Sequence, residues 1–343
     1  MANRNGNLSF YPVAFFALCL YLLVSPHATL QADCVAGDCT NGRGTFTWSD
    51  GTSYEGGFLN SARHGTGTQR WPDGSTFTGD WKNNHIFGNG IFKYKNGSVY
   101  TGSWKNDRRE GEGSYTLSDG REYKGEWKND AMNGRGSMVW PNGEHYEGEW
   151  KDNRMNGKGK FTFADGSTYQ GDWLDSKMDG QGTYAWLNGS KYIGAFKASR
   201  REGKGILTGP EGDRYEGMWE NDKRVGEGAG SWKDGTKYTG KWDKDKLNGK
   251  GTITYRDSTT YTGEFLEGIP NGKGKISWPD KRVYEGEFRN NQLHGFGIMK
   301  FPDGRIYTGS WENGEMHGAG SMRHPNGKVQ QGKWENGEFK GGK

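Results

Sequence analysis

Aromatic residues recur along most of this chain at a fixed spacing of 23 residues. We number each unit from its first aromatic residue, position 0, and the twelve such residues are Tyr54, Phe77, Tyr100, Tyr123, Tyr146, Tyr169, Tyr192, Tyr215, Tyr238, Tyr261, Tyr284 and Tyr307. Positions 2, 11 and 13 are glycine in every unit, and position 4 is tryptophan or phenylalanine. Positions 19 and 20 are mostly Asp-Gly or Asn-Gly. A strict period without insertions is typical of a repeat array.

The spacing within a unit predicts two β-strands. Positions 0, 2 and 4 alternate, so an aromatic residue, a glycine and a second aromatic residue share one face of a strand. Positions 11, 13, 15 and 17 form a second alternating set of glycines and large residues, while Glu147, Glu149, Lys158 and Lys160 illustrate the polar residues of the opposite face. The Asp-Gly and Asn-Gly pairs predict tight turns. A longer polar connection is expected around positions 5 to 10.

These elements predict an all-β protein, an elongated antiparallel β-hairpin array forming a single twisted sheet or half-open trough. One hairpin is marginally stable in water, so stacked units must bury a continuous aromatic row. Two strands per unit give roughly 9–10 Å per repeat, and twelve units give a rod on the order of 110 Å. We expect a half-unit at 42–53, twelve units at 54–329 and a C-terminal half-unit at 330–343. Asp257-Ser258 and Asp280-Lys281 lack the turn glycine, which leaves the turn geometry there open.

Composition and charge fit a thin architecture. Glycine supplies 60 of the 343 residues, hydrophobic residues 31% and aromatic residues 14%, which is too aromatic for a disordered chain. The net charge is +4, from 46 basic and 42 acidic residues. The two signs are interspersed and no long basic run is visible, so we expect no nucleic-acid partner.

Residues 1–32 differ from the rest of the chain. A polar head containing Arg4 precedes the apolar run Val13–Val24, and Leu30-Gln31-Ala32 offers a cleavage site. This layout is typical of a secretory signal peptide, and an uncleaved signal anchor is the alternative. The apolar run is shorter than the roughly 20 residues of a spanning helix. We therefore expect the repeat array to be exported across a membrane or anchored in one.

Two cysteines follow this segment, within a short linker predicted for residues 33–41. Cys34 and Cys39 form a C-x4-C pair, too few ligands for a tight metal site. If the chain is exported, a small-loop disulfide is the better hypothesis; two free thiols are the alternative.

No constellation of residues predicts catalysis, a cofactor, a metal site or a small-molecule substrate. His64, His294 and His317 share position 10 but lie many units apart. The Gly-x-Gly pairs do not lead into a helix with a Gly-Lys-Ser/Thr signature, so they predict backbone packing and not a phosphate loop.

The pattern Tyr146-Glu147-Gly148-Glu149-Trp150, followed by Asn156-Gly157-Lys158-Gly159, resembles the MORN (membrane occupation and recognition nexus) repeat. The resemblance covers residues 42–343. It implies a hairpin array that serves as a scaffold or protein-binding rod, with end-to-end self-association. The family also implies two alternatives, a membrane-surface or phospholipid-binding module, and an accessory subunit of an enzyme supplied by another chain.

The position-4 aromatic row is the candidate partner-binding face, although the same rings could instead be the core. Its candidate residues are Trp81, Trp104, Trp127, Trp150 and Trp173.

Overall fold

The computed structural model describes residues 33–342, which form 28 β-strands. The strands are β1 (Asp33–Gly37), β2 (Arg43–Thr47), β3 (Ser53–Leu59), β4 (Ala62–Arg70), β5 (Thr76–Lys82), β6 (His85–Lys93), β7 (Val99–Lys105), β8 (Arg108–Thr116), β9 (Glu122–Lys128), β10 (Ala131–Val139), β11 (His145–Lys151), β12 (Arg154–Thr162), β13 (Thr168–Leu174), β14 (Lys177–Ala185), β15 (Lys191–Lys197), β16 (Arg200–Thr208), β17 (Arg214–Glu220), β18 (Lys223–Ser231), β19 (Lys237–Asp243), β20 (Lys246–Thr254), β21 (Thr260–Leu266), β22 (Ile269–Ser277), β23 (Val283–Arg289), β24 (Gln292–Lys300), β25 (Ile306–Glu312), β26 (Glu315–Arg323), β27 (Val329–Glu335) and β28 (Glu338–Gly341).

Each strand pairs antiparallel with the next strand along the chain, and together they form one sheet. Within a unit, Tyr146 faces Phe161 and Gly148 faces Gly159 across β11 and β12. Positions 0, 2, 13 and 15 therefore share one face, which confirms the predicted β-hairpin array.

The connection at positions 5 to 10 is shorter than predicted. A two-residue turn at positions 6 and 7 joins the strands, as at Asn83-Asn84 between β5 and β6. Both residues have positive φ, 49° and 69°, which matches the twist of two antiparallel strands. The prediction was wrong here because most of these turns lack glycine, and asparagine and aspartate tolerate left-handed backbone in its place.

The Asp-Gly turns are one residue longer than the two-residue turns. The Trp71 amide donates to the Ser75 carbonyl at 3.0 Å, and Asp73 accepts the Ser75 amide at 2.8 Å. This arrangement encloses three residues, the last of which takes the left-handed conformation. Ser258 and Lys281 occupy that place with φ of 71° and 73°, so the turn geometry is kept without glycine.

The glycine at position 11 has a different role from those at positions 2 and 13. Gly157 lies in a β-bulge of β12, where the register shifts between Gly148 and Trp150 of β11. Its φ is 66°, a conformation that favours glycine. The Glu149 carboxylate accepts the amide of Lys158 beside this bulge at 3.2 Å.

The core is a continuous row of edge-to-face aromatic rings. The Tyr146 ring lies 5.2 Å from Trp150 of its own unit and 5.5 Å from Trp173 of the next unit, at angles of 87° and 83°. Its hydroxyl donates to the Glu149 carbonyl at 2.9 Å. Edge-to-face pairing adds to the energy of burial, so every interface between units contributes to stability.

The predicted linker at 33–41 contains a strand. β1 pairs with β2, and a disulfide joins Cys34 to Cys39. All five residues of β1 are exposed, so pairing and the disulfide hold it in place. Within residues 33–342 there is no helix long and apolar enough to cross a membrane, and the apolar run Val13–Val24 lies outside the described residues.

Candidate functional site: an aromatic groove

The tryptophans of the candidate partner-binding face are buried in the core. Their exposed fractions are 3–6% for Trp81, Trp104, Trp127, Trp150 and Trp173. The Trp150 indole donates to the Gly136 carbonyl of the preceding unit at 3.1 Å. Because packing already covers these rings, they offer little free surface to a partner, which favours the alternative that they belong to the core.

A second set of large side chains lies beside this core and remains partly exposed. It occupies position 15, near the end of the second strand of each unit, and position 17, the residue directly before each three-residue turn. Its aromatic members among the described residues are Phe46, Trp48, Trp71, Phe92, Tyr94, Tyr115, Trp140, Phe163, Tyr184, Trp186, Trp232, Tyr255, Trp278 and Phe301. We call the surface lined by positions 9, 15 and 17 the aromatic groove.

Near the C-terminal end of the array the groove forms a depression of about 580 Å³. All three positions contribute to its wall. Six lining residues are Pro270 and Leu293 at position 9, Ile276 and Met299 at position 15, and Trp278 and Phe301 at position 17. These six residues form an apolar part of the wall, which also includes Arg282, Gln292 and Glu315.

Glycines interrupt the groove at one place. Gly209 occupies position 17 of one unit and Gly230 occupies position 15 of the next. A β-carbon added to Gly230 would lie 3.1 Å from the Trp232 ring, so Trp232 and Trp242 crowd the space that a larger residue would need. This interruption separates the side chains at positions 15 and 17 into an N-terminal and a C-terminal stretch.

Position 9 is a groove position that the sequence pattern did not single out. Its residue is apolar and buried in most units, as with Ile86, Met132, Met155, Met178, Leu247 and Leu293. Four units carry arginine instead: Arg63, Arg109, Arg201 and Arg224. The mixture of residue types conceals the position in the sequence, although an apolar residue in most units is a detectable signal.

Each of these arginines stacks on the tryptophan of the following unit. The Cζ atom lies 4.2 Å from the ring centroid for Arg63 over Trp81 and for Arg109 over Trp127. A guanidinium over an indole face is held by cation–π attraction. The groove therefore carries guanidinium groups in an otherwise apolar wall.

Burial raises the pKa of some tyrosines on this face. The pKa of Tyr94 in the groove is raised to about 12 by burial, and that of Tyr192 beneath it is likewise raised to about 12. A neutral phenol can donate a hydrogen bond but is a poor base.

The opposite face is polar and exposed to solvent. Glu147, Lys158 and Lys160 are exposed there, and Lys158 forms an ion pair with Asp172. The Lys158 ammonium holds the pKa of the Asp172 carboxyl below its usual value. Exposed pairs of this kind contribute little to stability, so this face supplies solubility.

The family model described as "MORN repeat" matches residues 40–53, 54–76, 77–99, 100–120, 123–145, 146–168, 169–191, 192–214, 215–237, 238–260, 261–281, 284–304 and 307–329. No curated protein matches the chain.

Several solved structures are similar at low identity. The SAS-4 (dCPAP) TCP domain of Drosophila melanogaster, in complex with a proline-rich motif of Ana2 (dSTIL), is 15% identical over 52% of this chain and 90% of its own, with a TM-score of 0.30. The TCP10 domain of Danio rerio CPAP in complex with a peptide of Danio rerio STIL is 13% identical over 79% and 95%, with a TM-score of 0.18. Virginiamycin B lyase from Staphylococcus aureus is 10% identical over 89% and 88%, with a TM-score of 0.12.

The family match spans nearly all of the described repeats, and its unit boundaries coincide with the 23-residue period seen in the strands. This chain therefore belongs to the MORN repeat family.

Proposed function

We propose that this chain is a non-enzymatic scaffold whose aromatic groove binds a segment of a protein partner. The observation that carries the proposal is the partly exposed aromatic strip at positions 15 and 17, which borders a depression of about 580 Å³. Contiguous exposed apolar surface marks interaction sites, and aromatic residues are enriched in the centres of protein interfaces.

The repeat spacing suits an extended segment. Two strands separate equivalent groove positions, which corresponds to roughly 9–10 Å. A peptide in the polyproline II conformation advances about 3.1 Å per residue and returns its side chains to the same side every third residue, so about three residues of a partner would span one unit. A segment with an apolar side chain at that interval would meet the same kind of surface in successive units.

A random peptide library selected on the immobilised full chain tests this proposal. Trp140→Ser combined with Phe163→Ser removes two rings from the groove, and Glu147→Ser combined with Lys160→Ser changes the polar face of the same units. We expect the groove variant to weaken binding of selected peptides at least about tenfold, the size of a hot-spot loss, and the polar-face variant to leave it unchanged. Failure to select any peptide, or equal binding to both variants, would contradict the proposal.

We further propose export through residues 1–32. The sequence layout of that segment supports it, and a disulfide between Cys34 and Cys39 is typical of oxidising compartments. Sequencing the N-terminus of the protein isolated from its natural source tests the route. A start at Asp33 supports a cleaved signal peptide and an intact Met1 supports an anchor, whereas reduced cysteines in a cytosolic fraction would contradict export.

End-to-end self-association is a second candidate function. β1 and β28 each pair with a single neighbour among the described strands, and an open strand edge can pair with another chain. Light scattering on the full chain should give a mass that grows with concentration. A monomer mass at every concentration would contradict this candidate.

A further inference from the structure

Three of the four groove arginines are neutralised by an aspartate of the next two-residue turn. The Arg109 Nε donates to Asp130 at 3.2 Å, and its Nη2 donates to the Asp130 carbonyl at 2.8 Å. Arg201 and Asp222 repeat these two bonds at 3.1 and 2.9 Å. Arg224 and Asp245 repeat them at 3.0 and 3.2 Å. In each case the carboxylate belongs to position 7.

Arg63 has the same position and a different partner. Asn84 occupies position 7 of the next turn, where its Oδ1 accepts the Arg63 amide at 2.9 Å and its carbonyl accepts Nη2 at 2.6 Å. The buried Nε has no hydrogen-bond partner among the described residues. Arg63 also forms no ion pair with any carboxylate in residues 33–342, so its charge is left without a neutralising contact there.

The surroundings of Arg63 are polar where other units are apolar. Gln69, buried at position 15, accepts a hydrogen bond from Nη1 of Arg63. The neighbouring His64 has a buried Nδ1 with no partner among the described residues. The Asp107 carboxylate attracts the Arg63 guanidinium without touching it, which opposes the lowering of the Arg63 pKa by burial. That carboxylate already accepts the Ile86 amide at 2.8 Å and contacts His85.

Burial of the Arg63 guanidinium removes water from a charged group, which costs free energy. Burial lowers the pKa of Arg63 from its usual value, which is the sign of a cation deprived of water. The fold does not require a cation at position 9, because Ile86 and Met132 fill the same place in other units. Arg63 is partly exposed between Trp48 and Trp81. Its Nη1 and Nη2 each keep one N–H beyond those that Gln69 and Asn84 accept, and these two N–H groups are the ones left for an anion.

We propose that Arg63 receives a carboxylate side chain of the partner segment, which fixes that segment's register at the N-terminal end of the groove. This inference rests on the proposed peptide-binding function and specifies its partner as an apolar segment with one acidic residue. A guanidinium matches a carboxylate in shape and can donate two parallel hydrogen bonds. An anionic membrane is a poorer fit, because membrane attraction depends on clusters of several basic residues and the next groove arginine, Arg109, lies two units away.

The variant Asn84→Asp tests this proposal, because it places a carboxylate beside Arg63. Asn84 and Asp130 occupy equivalent turn positions with the same φ of 69°, so the change should reproduce the neutralised arrangement of Arg109 without disturbing the fold. Asp130→Asn is the matched control, since it makes the reverse exchange in an equivalent turn. Arg63→Met places at position 9 the residue found at Met132, Met155 and Met178.

The probes are peptides selected on the full chain, each paired with a version in which its acidic residue is changed to the amide. We expect selected sequences to share one acidic residue in fixed register with apolar residues. The acidic peptide should bind the unaltered chain about tenfold more tightly than its amide version, a size typical of charge-assisted hydrogen bonds. Asn84→Asp and Arg63→Met should abolish this preference, while Asp130→Asn should retain it.

Three outcomes would overturn the inference. Selected peptides that bind through the groove without a preference for an acidic residue would leave peptide binding intact and refute the role of Arg63. If the unaltered chain and Asn84→Asp prefer the acidic peptide over its amide version equally, the role of Arg63 is also refuted. Sedimentation with phosphatidylserine vesicles that is lost in Asn84→Asp would identify an anionic lipid as the occupant. If no selected peptide is weakened by loss of Trp71 and Phe92 or by loss of Trp140 and Phe163, the proposed function itself fails.

Discussion

Gly148 and Gly159 face each other across β11 and β12 so closely that a β-carbon added to Gly148 would lie 2.5 Å from the Gly159 Cα. The same β-carbon would lie 2.6 Å from the Tyr146 hydroxyl oxygen. The tyrosine ring can lie over the backbone only because both positions lack a side chain. The aromatic core and the paired glycines are thus one packing unit.

Gly148→Val should strongly destabilise the chain, because the valine side chain would displace the Tyr146 ring and its contacts with Trp150 and Trp173. We expect a loss of about 3 kcal/mol or more, at the upper end of overpacking costs. Glu147→Ala is the matched control, since Glu147 is exposed on the polar face. Denaturant unfolding monitored by tryptophan fluorescence measures both, and equal unfolding midpoints would refute the assignment of faces.

Ser258→Gly and Lys281→Gly should stabilise the chain. Both residues hold positive φ at the turn position that is glycine in most units, and a left-handed backbone costs a non-glycine residue about 1 kcal/mol or more. Each change should raise the free energy of unfolding by about 1 kcal/mol, and Gly304→Ser, at φ 83°, should lower it. Chemical denaturation measures the three, and a stabilising Gly304→Ser would contradict the account of these turns.

Acid should destabilise the array through the aspartates of the three-residue turns. The Ser75 amide holds the pKa of Asp73 below its usual value, as the Thr236, Arg282 and Arg305 amides do for Asp234, Asp280 and Asp303. Because the folded-state pKa values are lowered, this stability is present above the unfolded value of about 4 and is lost as the pH falls through the folded values.

The combined variant Asp73→Asn, Asp234→Asn, Asp280→Asn and Asp303→Asn tests this acid dependence. Asn142 already makes the same hydrogen bond, accepting the Glu144 amide at 3.1 Å. Thermal melts between pH 7 and about pH 2.5 should show a shallower decline for the variant than for the unaltered chain. Parallel declines would show that these turns do not carry the acid dependence.

Removing the disulfide should loosen only the N-terminal end of the array. Among the described strands β1 pairs with β2 alone, and it is exposed along its whole length. In a linear array each unit depends mainly on its neighbours. In Cys34→Ser combined with Cys39→Ser, amide exchange of Asp33–Gly37 should accelerate while β5 and later strands keep their protection. Faster exchange throughout the sheet would contradict this local role.

The repeat sequence predicted the fold and the two faces well, because aromatic residues and glycines alternate with the period of a strand. The two-residue turns escaped prediction, since pairs such as Asn83-Asn84 adopt positive φ without the glycine that usually marks them. The groove escaped for a different reason. Both aromatic rows look alike in sequence, and only the stacking of successive units buries Trp150 while leaving Phe163 partly exposed. The Arg63 site likewise depends on which turn residue of the next unit meets it.

Photo-crosslinking tests most directly the claim that partners bind the aromatic groove. A benzophenone amino acid is placed at Phe163, in the groove, or at Lys160, three residues earlier on the polar face. A peptide selected on the full chain is added and irradiated. The account predicts crosslinks from position 163 and none from position 160. Crosslinks from position 160 alone, or equally from both, would contradict it.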